Sequence, residues 1–231
     1  MNISIRCPDN MYQFGLVALL SEIFSLEMAQ EKLRIERYHP KNMTTADIMI
    51  LKLSPGEHYL CHAEFYTRSP RLIVGLIERE HIPERGEIPS CLSKIVFIPH
   101  DTSASQIGTV IKQHWLSVKN EGVSSKGRSC LHCPQKTFTA QQRQLIFLLL
   151  SGFTSKQIGV HMHICHKTVL AHRRALMNKF RLRTDCELLQ FLAAAQDKRA
   201  YSMGNTSGGK EKMMMPVSLS TDLYQPPRCC R

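Results

Sequence analysis

Apolar residues between residues 138 and 195 recur at helical spacing, and this pattern constrains the fold more than any other feature of the chain. It predicts four short helices. The first is expected to begin after Thr139, a residue type that favours helix N-caps, and to end at Gly152, which readily adopts the left-handed conformation. The second is expected to begin at a cap on Thr154 or Ser155. This stretch therefore predicts an all-α domain that opens with two helices.

The third predicted helix runs from about His166 to about Phe180. Val169, Leu176 and Phe180 are spaced by seven and four residues, so they lie on one stripe that faces the first two helices. The opposite face carries Lys167 and other basic or small residues. A helix with an apolar inner stripe and a cationic outer face, placed after a helix and a turn, is typical of a recognition helix for the DNA major groove.

The same stretch also contains an ordered motif. Its residues are Phe138, Thr139, Leu145, Ile146, Gly152, Ser155, Lys156, Gln157, Ile158, Gly159, Met162, Ile164, Lys167, Thr168, Val169, His172, Lys179, Phe180, Glu187 and Leu188. This run resembles the LuxR/FixJ-type (GerE-type) helix-turn-helix of bacterial transcription regulators. Three residues depart from the family pattern: Gln142 replaces a Glu, Cys165 replaces the Ser that caps the recognition helix, and Leu170 replaces a frequent Lys.

The resemblance implies roles for eight residues in binding double-stranded DNA. Those that would face the bases are Leu170, Ala171 and Arg174, and those that would hold phosphates are Lys156, Lys167, Thr168, His172 and Lys179. Arg174 is the candidate for a guanine contact, because its planar fork can donate two hydrogen bonds to O6 and N7. Two alternatives stay open: His172 packs against the first helix, and Thr168 only braces the turn.

The fourth predicted helix begins at the capping-box signature Thr184 to Glu187. Its apolar surface is wider than one contact requires, so Leu188, Leu189 and Leu192 are predicted to pair with a second copy or with a related regulator. Such pairing would place two recognition helices in successive major grooves, about one helical turn apart.

The net charge of +11 is concentrated in the predicted helical domain. Residues 137–200 hold ten Lys or Arg and three acidic residues, whereas residues 1–118 hold twelve basic and thirteen acidic residues. Lysine and arginine release counterions from nucleic acid, so a compact basic domain joined to a near-neutral one favours a DNA-binding domain with a regulatory partner. The alternative interpretation of the charge is a solvated charged face.

Residues 1–118 predict an α/β domain, with a parallel sheet flanked by helices. Residues 3–5 alternate like a short strand, and residues 14–20 continue as a helix. Three near-continuous apolar runs, at residues 47–53, 71–76 and 94–98, are typical of strands buried on both faces of a parallel sheet. The segment from Ser103 to Trp115 closes the domain as a helix.

This order resembles the receiver domain of a response regulator. In the alignment that the resemblance implies, the two metal-binding acidic residues of a receiver fall on Cys7 and Pro8, with Asp9 adjacent, and the phosphate-accepting Asp falls on Lys52. His100 falls where receivers place a Lys. Aspartyl phosphorylation needs a carboxylate nucleophile and a coordinated Mg²⁺, so this domain is predicted not to be phosphorylated. Lys52 is instead expected to form an ion pair with Asp9 or Asp47.

The remaining segments read as a linker at residues 119–136 and a disordered tail at 201–231, on composition. Cys130 and Cys133 form a close pair, but a structural zinc site needs four ligands, so no metal and no cofactor are predicted. The nine cysteines suit free thiols in a reducing compartment. No apolar run is long enough to span a membrane and no secretion signal is present, so the chain is expected to be cytoplasmic.

We conclude from the sequence that this chain is a sequence-specific DNA-binding transcription regulator that acts as a homodimer or heterodimer without phosphorylation. RNA polymerase is a further candidate partner. The alternative is an auxiliary regulator that acts mainly by heterodimerising with another response regulator. The dipeptide His100-Asp101 is the one hint of catalysis, and no nucleophile or phosphate cradle accompanies it, so an enzyme is not predicted.

Overall fold

The computed structural model describes residues 1–25, 32–39, 45–62, 65, 70–84, 86–119 and 136–203, with the backbone alone from residue 197 onward. The chain divides into two compact units, Met1–Lys136 and Thr137–Arg231. The predicted linker lies outside the described residues between 120 and 135, and the predicted tail lies outside them from residue 204. Cys130 and Cys133 also lie outside them.

The described part of the N-terminal unit is built on a sheet of five strands, and every neighbouring pair is parallel. The strands are β1 (Asn2–Arg6), β2 (Arg34–Arg37), β3 (Ile48–Lys52), β4 (Leu72–Ile77) and β5 (Ile95–Pro99). Their spatial order is β2-β1-β3-β4-β5, so the chain changes direction across the sheet between β1 and β3. In doubly wound sheets of this order, ligands bind at the carboxyl ends of the strands at that switch point.

Helices α1 (Asn10–Ser25) and α2 (Ala104–Val118) cover one face of the sheet. Leu20 of α1 and Ile111 of α2 are fully buried there against Ile50 of β3. On the opposite face, Met49 and Leu92 belong to a second apolar cluster. Cys91 and Leu92 of the short 3-10 helix Ser90–Leu92 contribute to this cluster. The predicted α/β fold is confirmed, with both of these helices on one side of the sheet.

Strand β2 was not predicted from the sequence. Its residues, Arg34 to Arg37, read RIER and have no apolar run. The strand lies at the edge of the sheet and pairs only with β1, through Ile35 opposite Ile3. Charged side chains on an edge strand discourage pairing with other chains, and they also remove the pattern by which a strand is recognised.

The C-terminal unit contains α3 (Ala140–Leu150), α4 (Ser155–His161), α5 (His166–Lys179) and α6 (Asp185–Met203), as the apolar spacing predicts. Thr139 caps α3 and Thr154 caps α4, each in a capping box with a glutamine. In the first box, the Gln142 amide oxygen accepts the Thr139 peptide N–H at 3.1 Å, so this glutamine does the work of the family's glutamate. Gly152 ends α3 with φ of 81°.

Four side chains from three helices form the centre of the C-terminal unit: Leu145 and Leu148 of α3, Ile158 of α4 and Val169 of α5. Three aromatic rings close one end of this core: the Phe180 ring centroid lies 5.1 Å from that of Phe138 and 4.4 Å from that of Phe191. The packed core therefore fixes the first three helices of the unit relative to one another.

Candidate nucleic-acid interface

The turn between α4 and α5 brings backbone against backbone. The Ile164 peptide N–H donates to the Gly159 carbonyl at 2.9 Å. A Cβ atom added to Gly159 would lie 2.8 Å from the Ile164 oxygen, closer than real Cβ atoms come. His163 adopts a left-handed φ of 54° in the same turn. Glycine at 159 thus permits the close crossing that sets the direction of α5.

Helix α5 has the two faces that the sequence predicts. Val169 and Leu176, together with Phe180 just after the helix, have no exposed surface, so the inner stripe is fully used by the core. Lys167, Leu170, Ala171 and Arg174 are exposed on the outer face, and Lys156 is exposed on α4. Leu170 is 43% exposed, so a large apolar side chain lies on this cationic face.

Two further cations of α5 are engaged within the domain. The Arg173 guanidinium forms an ion pair with the Asp185 carboxylate at the start of α6. The Lys179 ammonium donates a hydrogen bond to the Thr137 carbonyl oxygen at 2.6 Å. Sequence spacing could not reveal either contact, because each joins residues at least twelve positions apart in the chain. Lys179, predicted to hold a phosphate, is half-buried and helps to fix the entry of the domain.

The N-cap of α5 differs from the N-caps of α3 and α4. Threonine hydroxyls cap α3 and α4, whereas α5 follows Cys165, and a thiol is a weaker acceptor than a hydroxyl. The Cys165 Sγ atom lies 3.3 Å from Thr168 Oγ1. Hydrogen bonding by the Thr168 hydroxyl, with a smaller contribution from the charge of Lys167, lowers the pKa of Cys165. Thr168 and His172 are both half-buried.

The predicted pairing residues on α6 do not share one surface. Leu188 is 1% exposed and Leu192 is fully buried, so both belong to the interior of the domain and are not available to a partner. That part of the prediction is wrong: the wide apolar surface of α6 packs against the rest of its own domain. Leu189 is 52% exposed and is the one of the three that a partner could reach.

At the switch point of the N-terminal sheet, a lysine stands where the resemblance places a phosphate-accepting aspartate. Lys52 ends β3, and its Nζ atom lies 3.9 Å from Asp9 Oδ2 and 5.0 Å from the centroid of the Tyr12 ring. The expected ion pair of Lys52 is therefore formed with Asp9. Asp47 instead accepts the peptide N–H of Asn2 at 2.8 Å.

Two hydrogen bonds are formed near Lys52, at the carboxyl ends of the strands. The Tyr12 hydroxyl donates to the His100 carbonyl at 3.1 Å, and the Cys7 thiol, in a side chain 3% exposed, donates to the Asp9 carbonyl at 3.3 Å. Burial, assisted by the nearby acidic groups of Cys7 and Asp101, raises the pKa of Tyr12. A phenol that stays protonated keeps its donated hydrogen bond.

A second ion pair involves the end of β1. The Glu57 carboxylate is 2% exposed and contacts the Arg6 guanidinium at the end of β1. Its other oxygen accepts the Ser54 peptide N–H at 2.9 Å. These two contacts satisfy both oxygens of a buried carboxylate, and they connect the end of β1 to the loop after β3.

Two further features of the described residues concern metal binding and membrane insertion. No group of three or more His, Cys, Asp or Glu side chains in this part of the chain is placed to hold a metal ion. Among the helices of the same residues, none combines the length and the apolar character that crossing a bilayer requires.

An exposed cationic helix, held by a helix and a tight turn on a small helical core, defines a helix-turn-helix domain. Joined in one chain to a receiver-like α/β domain, it gives the chain the domain organisation of a DNA-binding transcription regulator. Residues 136–192 match the model of the family described as bacterial regulatory proteins, luxR family. The helix-turn-helix prediction for the C-terminal domain is therefore confirmed.

Comparisons with individual proteins extend over most of the chain. It is 20% identical over 200 residues to the Fimbriae W protein of Salmonella typhimurium strain LT2, covering 83% of this chain and 94% of that protein. It is also similar to the structure of RcsB from Salmonella enterica serovar Typhimurium bound to promoter P1flhDC, at 18% identity and a TM-score of 0.49, covering 84% of this chain and 98% of RcsB. The response regulator ChrA of a heme-sensing two-component system matches at 12% identity and a TM-score of 0.33, over 86% of this chain and 97% of that one.

Proposed function

We propose that this chain regulates transcription by binding a specific DNA sequence as a dimer, without phosphorylation of its N-terminal domain. The observation that carries the proposal is the division of α5 into two faces. Val169 and Leu176 are fully buried, whereas Lys167 and Arg174 are exposed. An exposed cationic helix face on a rigid core can enter a major groove without unfolding the domain that presents it.

On the outer face of α5, Arg174 is the residue that reads a base. Its guanidinium can donate two hydrogen bonds to O6 and N7 of guanine, a pattern that identifies one base pair. Leu170 and Ala171 have no polar group, so their contribution is apolar contact with a thymine methyl. The preferred site therefore combines a guanine with neighbouring thymines. Because Leu170 stands where the family frequently has Lys, the helix has one hydrogen-bond donor fewer for reading bases.

Contacts to the DNA backbone come from the flanks of α5 and from α4. Lys156 and Lys167 are exposed basic side chains, so they are the main phosphate-binding residues. Thr168 and His172 are half-buried, so they can contribute only hydrogen bonds from their exposed polar atoms. Lys179 already donates to Thr137, so its phosphate contact is at most a second hydrogen bond from the same ammonium group.

The chemistry at the end of β3 supports the proposed independence from phosphorylation. The Lys52 ammonium cannot accept a phosphoryl group as an aspartate does, and it is paired with the Asp9 carboxylate. Phosphoryl transfer to aspartate also needs a divalent cation held by neighbouring oxygens, and a lysine at this position repels one. Incubation with acetyl phosphate and Mg²⁺ is expected to add no mass to the protein and to leave its DNA affinity unchanged. A mass gain of one phosphoryl group on the N-terminal domain would refute this part of the proposal.

The DNA-binding proposal is tested with the purified chain. A site is first selected from random duplexes, and its affinity is then measured by fluorescence anisotropy against a scrambled duplex at several salt concentrations. The Lys167→Ala/Arg174→Ala double variant is expected to lose most of its preference for the selected duplex. Lys94→Ala, an exposed lysine of the N-terminal domain, is the control for loss of charge alone. Equal affinity of the parent chain for selected and scrambled duplexes would contradict sequence-specific binding.

Two observations favour a second candidate function, an auxiliary regulator that binds DNA mainly as a heterodimer. The recognition helix begins at Cys165, a weak cap, and exposes Leu170 where a base-reading cation is frequent in the family that the sequence resembles. Both features lower the DNA affinity expected of the chain alone. Anisotropy measured with and without a co-expressed response regulator separates the two functions, since an auxiliary regulator shows affinity only in the mixture. Either function places the chain in the bacterial cytoplasm, with RNA polymerase as a further partner.

A further inference from the structure

Histidine is concentrated around the start of the recognition helix. Four of the eleven histidines of the chain lie in residues 161–172, and three of them, His161, His163 and His166, have no part in the DNA contacts described above. They occupy the end of α4, the turn and the first position of α5. We call these three side chains the turn histidines. They lead directly into Lys167, which is exposed on the outer face of α5.

The turn histidines are accessible to solvent. His161 and His163 are exposed, and His166 is half-buried. The His161 ring packs edge-on against Phe153, with 4.8 Å between the ring centroids, so it is held at the end of α4. His163 has the left-handed φ of 54°, a conformation that is uncommon for residues other than glycine. All three imidazoles can therefore gain or lose a proton without unfolding the domain.

His166 borders the outer face of α5. It precedes Leu170 by four residues and Arg174 by eight, so the three side chains follow one side of the helix. Leu170 and Arg174 are both exposed. His163 lies three residues before His166, in the turn that leads into the helix. A duplex bound to the outer face therefore passes close to His166 and to the turn that precedes it.

No carboxylate is present in the stretch of sequence that surrounds the turn histidines. Residues 137–184 contain no Asp and no Glu. The charged side chains of the helices that meet at this turn, and of the segment after α5, are all cations: Arg143, Lys156, Lys167, Arg173, Arg174, Lys179, Arg181 and Arg183. The other titratable side chains beside the turn histidines are Cys165 and His172. Within this stretch, a protonated imidazole therefore meets only like charges.

The carboxylates at the start of α6 are engaged by other groups. Asp185 forms the ion pair with Arg173, and Glu187 accepts the peptide N–H of Arg183 at 2.8 Å. An anion beside an imidazole favours its charged form. For the turn histidines, such an anion has to be supplied from outside the domain.

We propose that His161, His163 and His166 are further phosphate-binding residues, and that they bind as protonated imidazolium groups, so that DNA binding takes up protons. The proposal rests on the proposed function, because the phosphates are those of the duplex that α5 contacts. Histidine has an ordinary pKa of about 6.5, so small changes in its surroundings decide its charge near neutral pH. The affinity for DNA is then higher in mildly acidic solution than in mildly alkaline solution.

Three additional charges are a large change for this surface. Arg173 and Lys179 are already engaged within the domain, and the exposed cations of the proposed interface are Lys156, Lys167 and Arg174. Each cation that contacts a phosphate releases about one counterion, so the salt dependence of binding reports the number of such contacts. Protonation of the turn histidines therefore strengthens binding and makes it more sensitive to salt.

The first experiment measures affinity against pH with the full chain. Fluorescence anisotropy on the selected duplex, at constant salt, is expected to give a dissociation constant at least about tenfold lower at about pH 6 than at about pH 8, because each histidine that gains a proton on binding acts in the same direction. The salt dependence should be steeper at the lower pH. Circular dichroism at both pH values checks that the chain stays folded.

A triple variant tests the assignment to these three residues. His161→Gln, His163→Asn and His166→Gln remove the titrating groups and keep polar side chains, and Asn suits the left-handed conformation at position 163. The variant is expected to match the parent chain at about pH 8 and to lose most of the gain in affinity at about pH 6. A merely structural role would weaken binding at both. His114→Gln, at an exposed histidine of α2, is the matched control and should keep the full dependence.

Proton uptake is also measured directly. Isothermal titration calorimetry with the selected duplex at about pH 6.5, in PIPES and in imidazole buffer, gives the number of protons bound from the difference in buffer ionisation heat. The parent chain is expected to take up at least about one proton, and the triple variant fewer. The histidines of the N-terminal domain are retained in the triple variant, so their titration is common to both chains.

Equal affinity of the parent chain for the selected duplex at both pH values, or full pH dependence in the triple variant, overturns the proposal and leaves the proposed function standing. Binding that strengthens in acid equally on selected and scrambled duplexes refutes sequence-specific binding and supports the role of the turn histidines. If the chain alone binds no duplex, heparin replaces it as the polyanion. Heparin binding that does not strengthen in acid then overturns the proposal, whereas strengthening that is lost in the triple variant supports it.

Discussion

The Nζ atom of Lys52 lies 3.9 Å from Oδ2 of Asp9, across the carboxyl ends of β3 and β1. Both side chains are partly exposed, at 27% and 50%, so solvent screens the pair. We expect Lys52→Ala to lower the free energy of unfolding of the N-terminal domain by no more than about 1 kcal/mol. Lys52→Asp should cost more, because it places a second carboxylate beside Asp9. Urea unfolding followed by tryptophan fluorescence at Trp115, which is 5% exposed, measures both. Greater destabilisation by Ala than by Asp would contradict the ion pair.

Gly159 is predicted to tolerate no side chain. An added Cβ would lie 2.8 Å from the backbone oxygen of Ile164, and a backbone atom cannot move aside as a flexible side chain can. Gly159→Ala should therefore destabilise the C-terminal domain by about 1–3 kcal/mol. Val160→Ala, at a neighbouring residue 49% exposed, should change stability by less than about 0.5 kcal/mol. Thermal unfolding of both variants, followed by circular dichroism, compares them. Similar melting temperatures would mean that the α4–α5 turn is looser than described.

Alkylation of Cys165 should begin at a lower pH than alkylation of a free thiol, because the Thr168 hydroxyl and Lys167 lower the pKa of Cys165. The thiolate is the reactive form, so the rate should rise with pH through a midpoint below the ordinary value. The lowered pKa of Cys165 also affects folding stability. Because the thiol loses its proton more easily in the folded state, deprotonation stabilises the fold, and this stabilisation is absent at low pH and appears as pH rises through the folded pKa. Peptide mapping after timed iodoacetamide treatment gives the profile. Thr168→Val should move the midpoint up, and no movement would exclude the hydroxyl as the cause.

Leu189 and Leu192 of α6 should respond differently to truncation. Leu192 is fully buried, so Leu192→Ala should destabilise the C-terminal domain by about 2–5 kcal/mol. Leu189 is 52% exposed, so Leu189→Ala should alter stability by less than about 0.5 kcal/mol. Chemical denaturation of the full chain tests both at once. If Leu192→Ala instead leaves stability intact and abolishes dimerisation, the leucine faces a partner and the described burial is incorrect.

Arg174 and Lys167 should separate sequence preference from general affinity. Arg174→Ala should cost about 1–3 kcal/mol on the selected duplex and relax the preference at one base pair. Lys167→Ala should weaken binding to selected and scrambled duplexes alike and reduce the salt dependence by about one phosphate contact. Anisotropy titrations on both duplexes provide the comparison. Equal losses on both duplexes for Arg174→Ala would refute its base-reading role.

Much of the C-terminal domain is predictable because its signals are local. The caps at Thr139 and Thr154, the stop at Gly152 and the buried stripe at Val169 and Leu176 each depend on residues a few positions apart. The same reasoning fails where the outcome depends on a distant segment. The apolar surface of α6 predicts a contact correctly, but the sequence does not say whether its own domain or a partner makes that contact.

In the N-terminal domain, the sequence fails to predict a charged strand and the exposure of an apolar side chain. The apolar runs of β3, β4 and β5 are recognisable because both of their faces are buried, whereas the charged edge strand β2 is not. The resemblance to a receiver is enough to place Lys52 at the end of β3. The sequence does not determine that Lys52 pairs with Asp9 and not with Asp47, because this depends on the fold. The exposure of Phe14 is also unpredictable, since its spacing from Leu20 does not exclude a place in the core.

The contacts of Arg173 and Lys179 mean that the count of basic residues in the helix-turn-helix domain overstates the number of side chains that are free to contact a duplex. Arg173 is neutralised by Asp185, and Lys179 is held by the Thr137 carbonyl. A polyanion such as heparin should accordingly compete less strongly than the count of basic residues suggests. With fewer free cations, the domain attracts nucleic acid of any sequence less strongly. Its discrimination among genomic sites then depends on a few cations in defined positions.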